Sequence, residues 1–410
     1  MRKYLIFSIV FIVVTTSNSF AQHPGWTVYD SSNSGLFDDW VRAIAIDGNN
    51  KWIGTGWSLT KFDGTNWTAV IEIPGISVIT VEGSNKWVGN HYGGLMKFDG
   101  TNWTIYDTSN SPLPDIRVFA IALEGSNKWV GTLGDIYAGG HPGGGLAKFD
   151  GTNWTTYDTS NSGLLDNWIT AIAIEGNNKW IGNYDDGLVK FDGTNWTVYD
   201  TSNSGLPDND VRVIAIQGNN KWIGTWGGGI AKFDGTNWTT YDTLNSGLPD
   251  NDVYALAIQG NNIWAGTLGG GIAKFDGTNW TVYDTLNSGL PSNDVTVLTL
   301  DGNKLWIGTF WSGIAVYNTT GIEESKELKA QSSELRVIKN KISLSVPNNY
   351  YTNTLITIYD LSGRLQSTLY SGTLTKGDYT FTPNIHKSGI YFVRLTAGDY
   401  KETKKLVLIK

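Results

Sequence analysis

The chain has no cysteine and only two methionines among 410 residues. The first absence excludes disulfides, thiolate metal sites, a cysteine nucleophile and a lipid anchor on cysteine, so packing and strand pairing must hold the fold. Histidine is nearly as scarce, with four, which leaves little material for acid–base chemistry. Long apolar runs are missing too. Residues 4–14 form an apolar core of eleven, short of the ~20 residues a spanning helix needs. With Arg2 and Lys3 before it and Ser19-Phe20-Ala21 after it, this run has the order of a secretory signal. The expected mature chain begins near Gln22, with no membrane span. Basic runs with interleaved aromatics are absent from residues 22–334, which carry a net −17, against +7 over 335–410. The acidic region repels nucleic acid.

What is abundant is glycine, with fifty, and tryptophan, with nineteen, and both fall in a repeat. The tryptophan of "KWIGT" and its variants stands at 52, 87, 129, 180, 222, 264 and 306, and that of "NWT", "GWT" in the first copy, at 26, 67, 103, 154, 196, 238 and 280. The usual step is 42 residues, with one of 36 where a connection is cut short before Ile76 and one of 51 where residues 134–142 intrude. Such periods mean a solenoid, a propeller or an array.

Within one unit, "VRVIAI" (211–216), "KWIGT" (221–225), "IAKFD" (230–234) and "WTTYD" (238–242) read as four short strands joined by tight glycine and asparagine turns. Four antiparallel strands per ~42 residues describe a propeller blade. The chain opens on a lone outer strand, "GWTVYD" (25–30), and its last unit stops after three strands. Each end supplies what the other lacks, so the expected ring has seven blades, the last closed by the N-terminal strand with no edge left unpaired. The inner strands, such as 43–46 and 171–174, read as core, as do the repeated tryptophans. The asparagine of each "NWT" reads as a hairpin turn rather than a glycan acceptor.

The unit resembles the propeller repeats of the extracellular sensor halves of hybrid two-component regulators. Leu206, Pro207, Asn209, Val211, Ile214, Trp222, Ile223, Gly224, Thr225, Gly228, Gly229, Phe233 and Asp234 carry the likeness. In those sensors a membrane helix and a kinase follow, and this sequence has neither. Instead, "ITIYDLSGRL" (356–365), "SGIYFVRLTAG" (388–398) and the terminal "KKLVLIK" (404–410) resemble the C-terminal sorting domain of the type IX, or Por, secretion system. Tyr359, Asp360, Gly363, Arg364, Gly389, Tyr391, Val393 and Arg394 carry that match. The usual Tyr-Pro-Asn-Pro opening is reduced to Val346-Pro347-Asn348-Asn349. The resemblance implies a small β-sandwich read by the outer-membrane secretion machinery, with cargo released or held on the surface.

The organisation expected is therefore all-β: a signal peptide (1–21), a seven-bladed propeller (22–318), a linker (319–334) and a small Ig-like sandwich, the sorting domain (335–410). Function is sought where the copies differ. The loops between second and third strands carry Trp57, His91, Tyr92, Leu133, Tyr184, Asp185, Asp186, Trp226, Leu268, Phe310 and Trp311. Arg42, Arg212 and Tyr254 start inner strands on the same face. Candidate ligand-binding residues are Trp57, His91, Tyr92, Tyr184, Trp226, Phe310, Trp311, Arg42 and Arg212, for a glycan or protein ligand. The bland alternative is drift in exposed turns. No cofactor or metal is expected: Asp208/Asp210 and Asp250/Asp252 lack calcium-loop spacing and read as turn caps. Two further readings stand beside a binding module. One is a polysaccharide-acting enzyme using His91 and His141 with Tyr92 or Asp135, and the other is a purely structural surface protein.

Overall fold

The computed structural model describes residues 23, 25–134 and 144–320, and 334–338, 341–346, 351–361, 363–374, 377–383, 385, 387–397 and 400–408. The expected signal peptide, most of the linker, and Asp135, His141 and His386 lie outside the described residues. The chain divides into two compact units, 1–321 and 322–410. Every regular element among the described residues is a strand, and no helix is long and apolar enough to cross a membrane.

The first unit is seven four-stranded antiparallel sheets. Blade 1 spans residues 41–72, blade 2 76–106, blade 3 118–157, blade 4 169–199, blade 5 211–241 and blade 6 253–283. Blade 7 combines 295–318 with the N-terminal strand Trp26–Tyr29, which pairs with Ile314–Asn318 in the register Trp26↔Tyr317 and Tyr29↔Ile314. The turns follow from local chemistry. In blade 5 the Asp234 carboxylate accepts the N–H groups of Thr236 and Asn237 at 2.8 and 2.7 Å, across Gly235 at φ 102°. That left-handed backbone favours glycine.

Packing between blades rests on the repeated aromatics. Trp222 of blade 5 is buried with Val253, Ile263 and Phe275 of blade 6, and burial of such a ring contributes up to about 5 kcal/mol of transfer free energy. The outer tryptophan instead stacks on the third-strand aromatic of its own blade, as Trp238 on Phe233 with centroids 4.5 Å apart. Gly205 closes over it from the preceding connection; a Cβ there would lie 2.3 Å from Trp238 Cβ.

Ion pairs clasp successive blades on the second strand. Lys51 meets Asp301, Lys86 meets Asp47 and Lys128 meets Glu82 at 2.6–2.7 Å, and Lys179–Glu124 and Lys221–Glu175 repeat the contact. At the 5/6 and 6/7 seams Ile263 and Leu305 stand in the lysine's place, and Gln217 and Gln259 in the acid's.

The second unit holds a three-stranded sheet, in the order Glu334–Ile338, Lys341–Val346, Gly377–Phe381, and a four-stranded one, Leu365–Leu374, Tyr351–Asp360, Gly389–Ala397, Tyr400–Leu408. Ile342 and Leu344 of the first share one core with Ile356, Ile358, Val393 and Leu406 of the second. This is a small two-sheet β domain.

Candidate functional site

In every blade the inner strand carries a register shift at its start, leaving one residue outside the ladder. These residues are Arg42, Ser77, Phe119, Thr170, Arg212, Tyr254 and Thr296. A bulge turns its extra side chain out of the pleat's alternation. The consequence is a ring of side chains at one end of the axis. All of them except Thr170 line a single cavity of about 280 Å³, together with Trp40, Leu268 and Phe310. The inner strands, core along stretches such as 43–46, thus contribute their first positions to the site, as Arg42, Arg212 and Tyr254 led one to expect.

The register places the start of each inner strand beside the end of the second strand, as Val41 opposite Thr55. The variable loops thus open on the same face as the cavity. Trp57, Tyr92 and Trp311 are 53%, 71% and 54% exposed. The opposite face carries the repeated Gly-Asn-Asn and Asp-Gly-Thr-Asn turns.

Two clusters frame the cavity. Around Arg212, the guanidinium carbon lies 4.9 Å from the Tyr184 ring, 4.9 Å from Trp226 and 5.4 Å from Tyr254. Its Nη2 donates to the Asp210 carboxylate, while its Nε is buried without an acceptor. Burial pushes Asp210 up to about 6, against the pull of Arg212. Around Arg42, the guanidinium sits 4.8 Å over Trp40 and 3.3 Å from His91 Nε2. His91 stacks on Phe119 with centroids 5.3 Å apart. Burial and then the charges of Arg42 and Arg117 push this imidazole down to about 4, so it is neutral at physiological pH. Among the described residues no carboxylate pairs with Arg42.

Trp40 also meets Phe310 and Trp311 at 5.1 and 5.0 Å. Trp311 has φ 63°, a left-handed backbone found at no other non-glycine residue described. Glycines 227 and 269 hold the corresponding place in blades 5 and 6, also at positive φ. A bulky residue in this region is strained, and such strain collects at functional surfaces.

The structure thus brings Arg42, Arg212 and Phe310 to one cavity, sets Tyr184 and Trp226 against Arg212, and puts Trp57, Tyr92 and Trp311 on the rim. His91 supports Arg42 from the side. Trp40, Phe119, Ser77 and Thr296 were not singled out from sequence. For the last three the signal was a column of the repeat, the residue after the first apolar residue of each inner strand, which differs from blade to blade while its neighbours hardly change. Asp208 caps a turn by accepting the Asp210 N–H at 2.8 Å.

The fold is similar to the extracellular domain of the hybrid two component system BT3049 from B. thetaiotaomicron, with TM-score 0.63 and 17% identity over 94% of this chain and 57% of that one. It is also similar to the extracellular domain of BT4673 from the same organism, with TM-score 0.57 and 17% identity over 93% and 52%. A third likeness is to PorZ, a surface component of the type-IX secretion system of Porphyromonas gingivalis, with TM-score 0.55 and 17% identity over 94% and 61%. The chain spans between half and two thirds of the length of these three. At such identity the shared property is the fold. No curated protein sequence matches the chain. Residues 338–410 match the family described as the secretion system C-terminal sorting domain, which makes this chain a propeller protein exported to the cell surface or medium by the type IX machinery.

Proposed function

We propose that the propeller is the recognition module of this exported protein and takes its ligand at the end of the ring axis, on the loop-rich face. The supporting observation is the set of bulged residues: six of them converge on one cavity with side chains as different as Arg42, Phe119 and Tyr254, in a repeat that is elsewhere nearly constant. Divergence gathered on one face, in these axial residues and in the loops beside them, is what a ligand site on a duplicated scaffold requires. Exposed aromatics on the same rim add contact area at low entropic cost.

Binding without chemistry is the reading favoured. His91, the histidine that a catalytic role would use, is engaged by Arg42 and Phe119 and has no carboxylate partner among the described residues. A general base needs an orienting acid and an open approach. A purified full chain screened against glycan and protein arrays tests the assignment. Trp226→Ala is expected to weaken the captured ligand by about 1–3 kcal/mol, and Thr236→Ala on the other face to leave it unchanged. Loss from Thr236→Ala alone would move the site to the opposite face.

A further inference from the structure

We propose that the axial cavity binds one anionic sugar residue, a uronic acid or a sulfated pyranose, at the end of a glycan chain. The inference rests on the face assigned above and adds the ligand's charge and size.

Charge comes first. Arg42 and Arg212 line the same cavity, and of the two only Arg212 has a carboxylate, Asp210. Arg42 is left with a ring face and an imidazole held neutral. Asp185, Asp208 and Asp252 lie around Arg212 and Tyr254, so the unpaired positive charge is that of Arg42, which has no carboxylate partner among the described residues. Guanidinium stays ionised when buried, so an anion is the complement the wall lacks.

The orientation of these groups specifies the anion further. Three aromatic rings have their centroids within 5.4 Å of the Arg212 guanidinium carbon, and Trp40 lies 4.8 Å from that of Arg42. Packing of this kind occupies the flat faces and leaves the N–H edges to bind in plane. On Arg212 the Nη2 edge is taken by Asp210 and Nε is buried from solvent, so the anion is expected on the edge of Arg42. Carboxylate and sulfate oxygens accept from two adjacent N–H groups of one guanidinium.

Size and wall chemistry point to a sugar. About 280 Å³ lies just below the range of drug-sized pockets, room for one pyranose ring and not for a folded segment. Phe119, Tyr254 and Phe310 on the wall offer ring surfaces to the apolar C–H face of a pyranose. The remaining chain then leaves over the rim, where Trp57 and Trp226 are exposed.

The test is calorimetric titration of the full chain with trigalacturonate, its methyl ester, a sulfated disaccharide and an acidic peptide with a free carboxyl terminus. Binding of trigalacturonate or of the sulfated disaccharide is expected, and whichever binds identifies the source of the anion. The methyl ester should bind at least tenfold more weakly than the acid, and Arg42→Gln should lose at least tenfold for the acid while melting as the wild type does. The ester comparison uses the unaltered chain, so the outcome does not depend on a variant folding. Equal affinity for acid and ester, preference for the peptide, or no binding of either acidic sugar at millimolar concentration would overturn the proposal. If in those cases Trp226→Ala still weakens capture of an array ligand, the recognition face stands and only the anionic sugar is lost.

Discussion

Lys51 of the first blade and Asp301 of the last form an ion pair of 2.7 Å, in which the lysine side chain is buried and the carboxylate is 30% exposed. The pair fastens the seam where the two ends of the ring meet. Its two members should not be equivalent. Asp301→Ala leaves a buried ammonium without its counter-charge and is expected to cost about 2–3 kcal/mol. Lys51→Met leaves a carboxylate that water can reach and should cost under about 1 kcal/mol. Urea unfolding of the two variants measures the difference, and equal losses would refute the asymmetry.

At Trp311 stability and recognition should move in opposite directions. A tryptophan at φ 63° carries a conformational cost of about 1 kcal/mol or more relative to glycine. Trp311→Gly is expected to raise the melting temperature or leave it unchanged, while weakening a ligand bound over the rim. Thermal melting and titration of the same variant test both halves.

Asp210 makes the cavity sensitive to pH. Its carboxyl is raised to about 6 by burial, with Asp185 and Asp208 adding to the rise and Arg212 opposing it. Between the ordinary carboxyl value and about 6 the folded chain holds a proton that the unfolded chain has released. This group's contribution to stability is therefore present at low pH and lost as pH rises through that window. The same protonation frees Arg212 of its counter-charge. His91, at about 4, stays neutral above pH 5. Affinity for an anionic ligand should increase as pH falls from 7 to 5, and Asp210→Asn should bind at pH 7 as the wild type does at pH 5.

Export is separable from folding. In a host with the type IX machinery, a chain ending near Ala330 should keep its propeller yet remain in the periplasm, whereas the whole chain reaches the surface or medium. Fractionation with immunodetection distinguishes them, and equal appearance outside would remove the sorting role from residues 338–410.

The ring was legible in the sequence because its determinants are local. Turn chemistry at Asp234-Gly235, the paired tryptophans Trp222 and Trp238, and the complementary ends at Trp26 and Tyr317 all lie on the page as text. The site was legible only in part. Arg42, Arg212 and Tyr254 declared themselves as polar residues on apolar strands. Phe119 did not, because an aromatic among Val118, Ala120 and Ile121 reads as core. What separates it from core is the bulge between Val118 and Ala120, a backbone event that alternation alone does not encode. Trp40 was hidden for a different reason: its partners Arg42, Phe310 and Trp311 come from opposite ends of the repeat array.

The seven seams are not chemically alike, and in acid this gives the ring a direction. Glu82, Glu124 and Glu175 are raised by burial, but hydrogen bonds from Lys128, Lys179 and Lys221 and from the neighbouring indoles more than offset this and hold them below the usual range. Asp47 is held down by Lys86. Groups lowered in this way stabilise the fold above their ordinary values and lose that contribution as pH falls through the folded ones. The seams with Ile263 and Leu305 have no such charge to lose. Acid should therefore loosen blades 1–5 from one another first and leave blades 5–7 as the last cooperative unit. Amide exchange at pH 3 would read this as slower deuterium uptake in residues 253–318 than in 41–199.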